Sequence, residues 1–159
     1  YMQYRIGNGI DSHRLEEGIL LVIGGVSIPF PKGSKGHSDG DVLFHAIVDA
    51  ILGSLSLGDI GKHFPSDNPH WKDADSRLFL EHACKLMDEK GYSVENIDAT
   101  IILQEPVLSS YILLIRENIS TVLSVDLEKI SVKATTTDKL GFIGRGEGIA
   151  AAVSVLIKK

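Results

Sequence analysis

The central structural element of this chain is encoded by Asp41-Val42-Leu43-Phe44-His45-Ala46-Ile47-Val48-Asp49-Ala50-Ile51-Leu52-Gly53-Ser54-Leu55. His37-Ser38-Asp39-Gly40 precedes it. Its apolar residues recur at helical spacing, which predicts a helix over 41–55 with one buried stripe. We expect Ser38 or Asp39 to cap its start. His45 and Asp49 share the opposite face, so the carboxylate is expected to orient the imidazole or to contact a substrate hydroxyl. The buried stripe comprises Leu43, Ile47, Ala50, Ile51 and Leu55.

An Asp-x-His pair lies upstream, at the end of a predicted strand over 4–12. Side chains alternate faces in a strand, so Asp11 and His13 point the same way. With His45 they offer one carboxylate and two imidazoles, which is the ligand set of a catalytic zinc with an open fourth position. The alternative is a hydrogen-bonded pair at a strand end. Flanking glycines favour backbone that runs close to a ligand; they are Gly7, Gly9, Gly36 and Gly40.

Length and composition predict one ordinary globular domain. The chain has 159 residues, 43% of them hydrophobic, and a formal net charge of -5. That charge argues against a general nucleic-acid surface. Cys84 is the single cysteine, which excludes an intramolecular disulfide and a thiolate zinc cluster and suggests an apolar filler in a helix. No apolar stretch approaches the roughly 20 residues that span a bilayer, so we expect a soluble protein without a membrane partner.

Strands and helices alternate along the rest of the chain. We predict a hairpin over 19–30 joined near Gly24-Gly25, then a loop through residue 36. A long loop over 57–75 is a candidate lid or ligand wall. Further predicted elements are a helix over 76–90 closed by Gly91, a strand over 94–103, a helix capped by Ser109 or Ser110, and strands over 130–134 and 149–157. The third helix carries the stripe Ile112, Ile115, Ile119, Val122 and Leu123.

This order of elements predicts an α/β (α+β) fold. We expect one domain over residues 1–159, with a mixed β-sheet covered by helices on one side.

Two other segments are candidate phosphate sites. His37-Ser38 precedes a helix start, where free amides and the helix dipole favour an anion. The alternative is that this segment only caps the helix and that His37 is solvated. Thr135-Thr136-Thr137-Asp138-Lys139 leads into a glycine-rich run over 141–148, a combination that suits a diphosphate. A threonine-rich strand end and a turn packed on neighbouring backbone would have the same composition.

Together these motifs resemble the 2-C-methyl-D-erythritol 2,4-cyclodiphosphate synthase family of the non-mevalonate isoprenoid pathway. The resemblance spans nearly the whole chain. It rests on Asp11-x-His13, His37-Ser38-Asp39-Gly40-Asp41 with His45, Gly58-Asp59-Ile60-Gly61-Lys62 with Phe64-Pro65, Ala74-Asp75-Ser76-Arg77, and residues 133–148.

The resemblance implies a zinc-dependent cyclisation of 4-diphosphocytidyl-2-C-methyl-D-erythritol 2-phosphate. The 2-phosphate attacks the β-phosphorus and CMP leaves. Asp11, His13 and His45 would hold zinc, and Mg²⁺ or Mn²⁺ would bridge the α- and β-phosphates. His37 and Thr136 would be catalytic, with His37 and Ser38 positioning a phosphate and Thr136 supporting the transition state.

The resemblance also implies an extended substrate site. Its residues are Asp11, His13, His37 and Ser38; Asp59, Ile60, Gly61, Phe64, Pro65, Ser66, Asp67 and Asn68 near the sugar and lid; Leu103, Gln104, Glu105, Pro106, Val107, Leu108, Ser109 and Ala134 around cytosine; and Thr135, Thr136, Thr137, Asp138, Phe142 and Arg145.

The same resemblance implies a homotrimer with active sites between adjacent subunits. Arg145 and Glu147 would then lie along a subunit contact or a central channel. The enzyme would be cytoplasmic in a bacterium, or plastid in a plastid-bearing eukaryote. The chain departs from relatives at Ser66-Asp67-Asn68-Pro69 after the Phe-Pro pair, at Asp138 where glutamate is common, and at Ala152 where some relatives are acidic.

Two other functions use the same residues. A phosphoester hydrolase would use zinc-bound water as its nucleophile and release a linear phosphate. A non-enzymatic nucleotide-binding subunit would hold a coordinatively closed structural metal. His63, His70 and His82 are expected to be solvated or locally hydrogen-bonded, and Trp71 is expected to anchor a loop.

Overall fold

A five-stranded mixed sheet forms the centre of the computed structural model, which describes residues 1–159. The strands are β1 (Tyr4–Glu17), β2 (Leu21–Ile23), β3 (Val26–Ile28), β4 (Lys32–Lys35), β5 (Ser93–Ile102), β6 (Ile130–Thr135) and β7 (Gly148–Lys158). The helices are α1 (Val42–Ser54), α2 (Ile60–His63), α3 (Ser76–Glu89), α4 (Ile112–Leu123) and α5 (Gly141–Gly144). Short 3-10 turns cover Pro69–Trp71 and Leu127–Lys129.

The sheet order is β4-β1-β7-β5-β6, and β2 pairs with β3 in a separate hairpin. Only β5 and β6 run parallel; the other neighbours in the large sheet are antiparallel. The predicted mixed sheet and α+β class are therefore confirmed. One continuous core of 37 buried residues joins the sheet, the hairpin and the helices. None of the helices has both the length and the apolar character needed to cross a bilayer.

Helix α1 lies unusually close to β1, and this contact positions the candidate site. A Cβ atom on Gly7 would stand 1.8 Å from the Ala50 carbonyl oxygen, and one on Gly9 would stand 1.8 Å from that of Ala46. Only glycine permits such an approach. Because side chains alternate along a strand, Asp11 continues the face that carries these glycines, directly under the helix.

The opposite face of β1 is not covered by a helix. Ile6 is 69% exposed and Ile10 is 75% exposed on this face. Asn8 donates a hydrogen bond of 2.8 Å to Ser154 of β7 on the same side. This face of the sheet therefore exposes two large apolar side chains on either side of a polar pair.

The predicted hairpin, the helices over 41–55 and 76–90, and the later strands are confirmed, with ends shifted by a few residues. The cap of α1 was predicted wrongly. Asp41, rather than Ser38 or Asp39, accepts from the Phe44 N–H at the helix start. The prediction for α4 was also wrong, because Tyr111 precedes that helix and no side chain caps it.

Two segments predicted as loops contain regular structure. The loop expected after the hairpin contains β4 (Lys32–Lys35), which pairs with β1 where that strand runs on to Glu17. The segment over 57–75 contains α2, whose first amide is held by Asp49, and the turn over Pro69–Trp71. This segment is therefore structured, and it forms one side of the candidate site described below.

Candidate functional site

Three side chains converge where β1 passes under α1. Asp11 Oδ2 lies 2.8 Å from His13 Nε2 and 3.1 Å from His45 Nδ1. The two imidazole nitrogens lie 3.2 Å apart. A tetrahedral ion with bonds of about 2.0 Å needs ligand atoms about 3.3 Å apart. The predicted trio of ligands is thus brought together in nearly the required triangle, and its donor chemistry fits zinc.

Outer partners orient both imidazoles. His13 Nδ1 lies 3.1 Å from the Lys35 carbonyl oxygen, which can only accept, so Nε2 is left to act as a ligand. His45 Nε2 lies 2.8 Å from Ser76 Oγ and 3.0 Å from Ser38 Oγ. The prediction that Asp49 orients His45 is not supported, because Asp49 Oδ1 accepts from the Ile60 N–H at 2.7 Å.

Burial and hydrogen bonding act in opposite directions on the two β1 ligands. Burial raises the pKa of the Asp11 carboxyl, but its contacts with the His13 and His45 imidazoles outweigh this effect and lower that pKa to about 2. Burial lowers the pKa of His13, and the bond to Asp11 reverses this, so that its pKa lies above the usual 6.5. Asp11 is therefore an anionic ligand at neutral pH.

A cavity of about 420 Å³ opens beside these ligands. Its predicted lining residues are Asp11, His13, His37, Ser38, His45, Ile60, Gly61, Phe64, Pro65, Ser66 and Asp67, and Trp71 and Phe79 join them. The sequence reading missed Phe79 as a wall of this cavity. Trp71 packs edge-on against Phe64 with ring centroids 5.0 Å apart, so its predicted anchoring role is confirmed.

The predicted anion site at the α1 N-terminus is altered in the structure. The buried Asp41 carboxylate already accepts from the Phe44 N–H, so a negative charge occupies that helix end. His37 lines the cavity and places its Nε2 3.2 Å from the Asn68 carbonyl oxygen. An anion would be bound by the His37 and Ser38 side chains rather than by free helix amides.

A second cavity, of about 490 Å³, lies at the ends of β5 and β6. It is lined by Leu103, Gln104, Pro106, Val107, Leu108, Ser109, Ile112, Ala134, Thr135 and Thr136. The pairing of Ile102 with Thr135 in the parallel β5–β6 ladder brings the two predicted segments together. Apart from Ile112, every lining residue was predicted to bind substrate: those from 103–109 and Ala134 around cytosine, and Thr135 and Thr136 near the phosphates.

The remaining predicted residues do not line these two cavities, although two smaller neighbouring cavities share residues with them: Leu103 and Gln104 with the β5–β6 cavity, and His13 with the metal cavity. Glu105 and Arg145 line a third cavity with Lys139, and Phe142 lines a fourth beside His13. Asp59 caps α2 by accepting from the Lys62 N–H. Thr137 donates to the Leu140 carbonyl oxygen, and Asp138 has a φ of 53°. Within one chain, the metal cavity and the β5–β6 cavity share no lining residue.

The other histidines and the cysteine have structural surroundings. His63 Nε2 lies 2.9 Å from the Leu57 carbonyl oxygen, and the rings of His63 and His82 lie 5.9 Å apart. His70 packs edge-on against Trp71. Burial raises the pKa of the Cys84 thiol to about 12, so it is not a reactive thiolate.

The sequence predicted Asp39 only as a helix cap and assigned no role to Ser76, yet both lie at the site. Ser76 is fully buried at the start of α3 and contacts His45, while its hydroxyl also donates to Asp39 Oδ1. The motif Ala74-Asp75-Ser76-Arg77 marked the segment, but nothing in its local pattern places Ser76 beside a residue 31 positions earlier.

Comparisons with known proteins cover almost the whole chain. The YgbB family model matches residues 4–158. The 2-C-methyl-D-erythritol 2,4-cyclodiphosphate synthases of Chlorobium phaeobacteroides and Geobacter sulfurreducens are 52% and 55% identical to it, over 98% of this chain and 98% and 99% of theirs.

Solved structures also match this chain over nearly its whole length. The bifunctional IspDF from Campylobacter jejuni superposes with a TM-score of 0.96 at 43% identity; the match covers 99% of this chain and 43% of that one. IspF of Plasmodium falciparum in a CDP complex gives a TM-score of 0.86 at 40% identity, covering 99% and 97%.

Proposed function

Because this chain belongs to the YgbB family, the family of the 2-C-methyl-D-erythritol 2,4-cyclodiphosphate synthases, we propose that it forms the cyclic diphosphate by zinc-dependent cyclisation. The proposed substrate is 4-diphosphocytidyl-2-C-methyl-D-erythritol 2-phosphate. An oxygen of the 2-phosphate forms a bond to the β-phosphorus. The bond from that phosphorus to the bridging oxygen breaks, and CMP leaves with the electron pair. We propose one such catalytic domain over residues 1–159.

The observation that carries this proposal is the ligand triangle of Asp11, His13 and His45 beside a cavity that also contains His37 and Ser38. Both reacting groups are phosphates, so the protein needs no nucleophile of its own. Its tasks are to align the two groups and to stabilise their charge. When bound at this triangle, zinc would supply positive charge to the crowded phosphate oxygens.

The chain's own residues supply the remaining functions. His37 and Ser38 hold a phosphate beside the metal ligands, and the hydroxyl of Thr136 supports the transition state from the other cavity. Backbone groups at 103–109, with Ala134, bind the cytosine. The CDP complex of the Plasmodium falciparum relative supports a cytidine nucleotide as the ligand.

We propose that a second cation, Mg²⁺ or Mn²⁺, accompanies the substrate and would neutralise charge on its phosphates. The residues of this chain are consistent with one protein-bound zinc and a second cation held by the substrate. Asp11, His13 and His45 form the cluster of three potential ligands, and this set suits zinc. A hard cation held mainly by substrate oxygens requires no protein cage of its own.

Assembly as a homotrimer is also part of the proposal. The metal cavity and the β5–β6 cavity share no residue, yet one substrate must contact both kinds of site. A neighbouring subunit would supply the missing part. The exposed Ile6 and Ile10 on the uncovered face of β1 provide an apolar surface for such a contact.

The test combines metal analysis with phosphorus NMR. Purified protein, zinc, Mg²⁺ and the cytidyl substrate are expected to give CMP and a cyclic diphosphate. His45→Ala is expected to abolish turnover while the circular dichroism spectrum remains native. A linear phosphate product would favour hydrolysis instead. Loss of the fold in His45→Ala or on chelation would favour a structural metal.

A further inference from the structure

His45 has a buried partner on the side away from the other ligands. Its Nδ1 faces Asp11, and its Nε2 lies 2.8 Å from Ser76 Oγ. Ser76 is fully buried and His45 is 8% exposed, so water does not compete for this contact. Ser76 is the first residue of α3, and this contact therefore links α3 to the metal ligand on α1.

The direction of this hydrogen bond is set by Asp39. The Ser76 hydroxyl donates to Asp39 Oδ1, and a carboxylate can only accept. A hydroxyl has one proton, so Ser76 has none left to give to His45. Ser76 Oγ must accept from the Nε2–H of the imidazole. The lone pair of His45 is thereby placed on Nδ1, which points at Asp11 and His13.

Asp39 is itself held in place. Its Oδ2 accepts from the Ser76 N–H at 3.0 Å, and its Oδ1 also accepts from the Asp41 N–H at 3.0 Å. Its own N–H donates to the Ala74 carbonyl oxygen at 3.1 Å. The carboxylate therefore cannot turn away from Ser76 without losing several hydrogen bonds.

We propose that Asp39 and Ser76 are positioning residues that fix the tautomer of His45 for metal binding. This inference rests on the proposed metal role of Asp11, His13 and His45. An imidazole whose outer nitrogen is held by a carboxylate, directly or through a hydroxyl, is a better oriented and more basic ligand. Ser38 differs from Ser76, because no carboxylate accepts from its hydroxyl: its Oγ lies 3.0 Å from His45 Nε2 and 3.5 Å from Ser76 Oγ, and it lines the metal cavity.

The first measurement is zinc affinity, by competition with a chromophoric chelator. Ser76→Ala removes the acceptor, and Asp39→Ala frees the Ser76 proton to point at His45. Each is expected to weaken zinc binding about 10-fold to 100-fold. Ser76→Thr keeps the hydroxyl and is expected to restore most of the affinity. The matched control is Ser54→Ala, because Ser54 is buried on α1 and donates to the Ile51 carbonyl oxygen away from the site.

The second measurement reads the tautomer directly by nitrogen-15 NMR of the metal-free protein. At about pH 8, where neutral imidazole predominates in ordinary histidines, wild-type His45 is expected to carry its proton on Nε2. The metal-free Ser76→Ala and Asp39→Ala variants are expected to show a mixture. An Nδ1–H tautomer in the wild-type protein would overturn the proposal even if a variant failed to fold.

The outcomes separate the two proposals. If the wild-type protein binds no zinc, the proposed function loses its metal site. If the wild-type protein binds zinc and Ser76→Ala and Asp39→Ala bind it equally well, only the positioning role is overturned.

Discussion

The Asp41 carboxylate accepts a hydrogen bond of 2.7 Å from the Gly25 N–H, which ties the turn of the β2–β3 hairpin to the start of α1. It also accepts from the Gly24 N–H at 2.9 Å and from the Phe44 N–H at 3.1 Å. Burial raises the pKa of this fully buried carboxyl to about 6, although the three N–H groups act to lower it. Such a charge is tolerated because its acceptor sites are filled.

Asp41→Ala is therefore expected to destabilise the fold. Three backbone donors would lose their partner, and an unsatisfied buried donor costs about 1–3 kcal/mol. We expect urea unfolding to give a free energy lowered by about 3 kcal/mol or more. The control is Asp98→Ala, which breaks an exposed ion pair with Lys133 and should cost less than about 1 kcal/mol. Equal losses in both variants would contradict the structural role of Asp41.

The choice of Asp41 as the cap shows what the sequence could not decide. Ser38, Asp39 and Asp41 are all favourable cap residues, so local preference does not separate them. The separation comes from the hairpin amides of Gly24 and Gly25, which reach Asp41 only in the folded chain. Strand β4 was not predicted for a related reason. Lys32–Lys35 shows no alternation of apolar residues, and its strand conformation depends on pairing with β1.

The candidate metal ligands could be predicted because residue type and local spacing mark each of them. Strand alternation places Asp11 and His13 on one face, and helical spacing puts His45 on a different side of α1 from Leu43 and Ile47. The single buried stripe expected for α1 is wrong, because residues 42–48 are all buried, His45 included. The outer partners follow from tertiary packing instead. Asp49 was expected to serve His45, but the first amide of α2 takes its carboxylate. The imidazole contacts Ser76 instead, which begins α3 and lies 31 residues after His45.

The Asp11–His13 pair predicts a defined pH dependence in the metal-free protein. The pKa of His13 is raised, so its stabilising contribution is complete below 6.5 and is lost as pH rises through its folded-state pKa. The pKa of Asp11 is lowered to about 2, so its contribution is present above 3.8 and is lost as pH falls through about 2. The pair stabilises most between these limits.

Proton NMR titration of His13 in the metal-free protein measures this coupling. Asp11→Asn is expected to lower the pKa of His13, because the partner that favours its charged form is gone. Asp126→Asn, at the start of the distant turn over Leu127–Lys129, serves as the control and is expected to leave that pKa unchanged. A wild-type midpoint at or below 6.5 would show that burial outweighs the Asp11 bond.

Thr136 offers a test of the proposed transition-state contact. Its Oγ1 accepts from the Asp138 N–H at 3.2 Å, and it lines the β5–β6 cavity. Thr136→Val keeps the shape and removes the hydroxyl, so we expect kcat for CMP release to fall about 100-fold with little change in KM. Thr136→Ser should keep most of the activity.

The matched control for Thr136 lies on α4. Thr121 is an exposed helix residue whose hydroxyl donates to the Glu117 carbonyl oxygen, and Thr121→Val should retain wild-type kcat. If Thr136→Val raised KM alone, the hydroxyl would act in ground-state binding rather than in the transition state.

The uncovered face of β1 provides the test of assembly. Ile10 is 75% exposed there, and burial of such a side chain between subunits contributes about 1.5–3 kcal/mol. Ile10→Glu would place a charge in that contact, so we expect sedimentation to show monomers with native circular dichroism and no cyclase activity. Leu113→Glu, at a site on α4 that is 54% exposed, should remain trimeric and active. A monomeric wild-type protein with full activity would show instead that one chain completes the site alone.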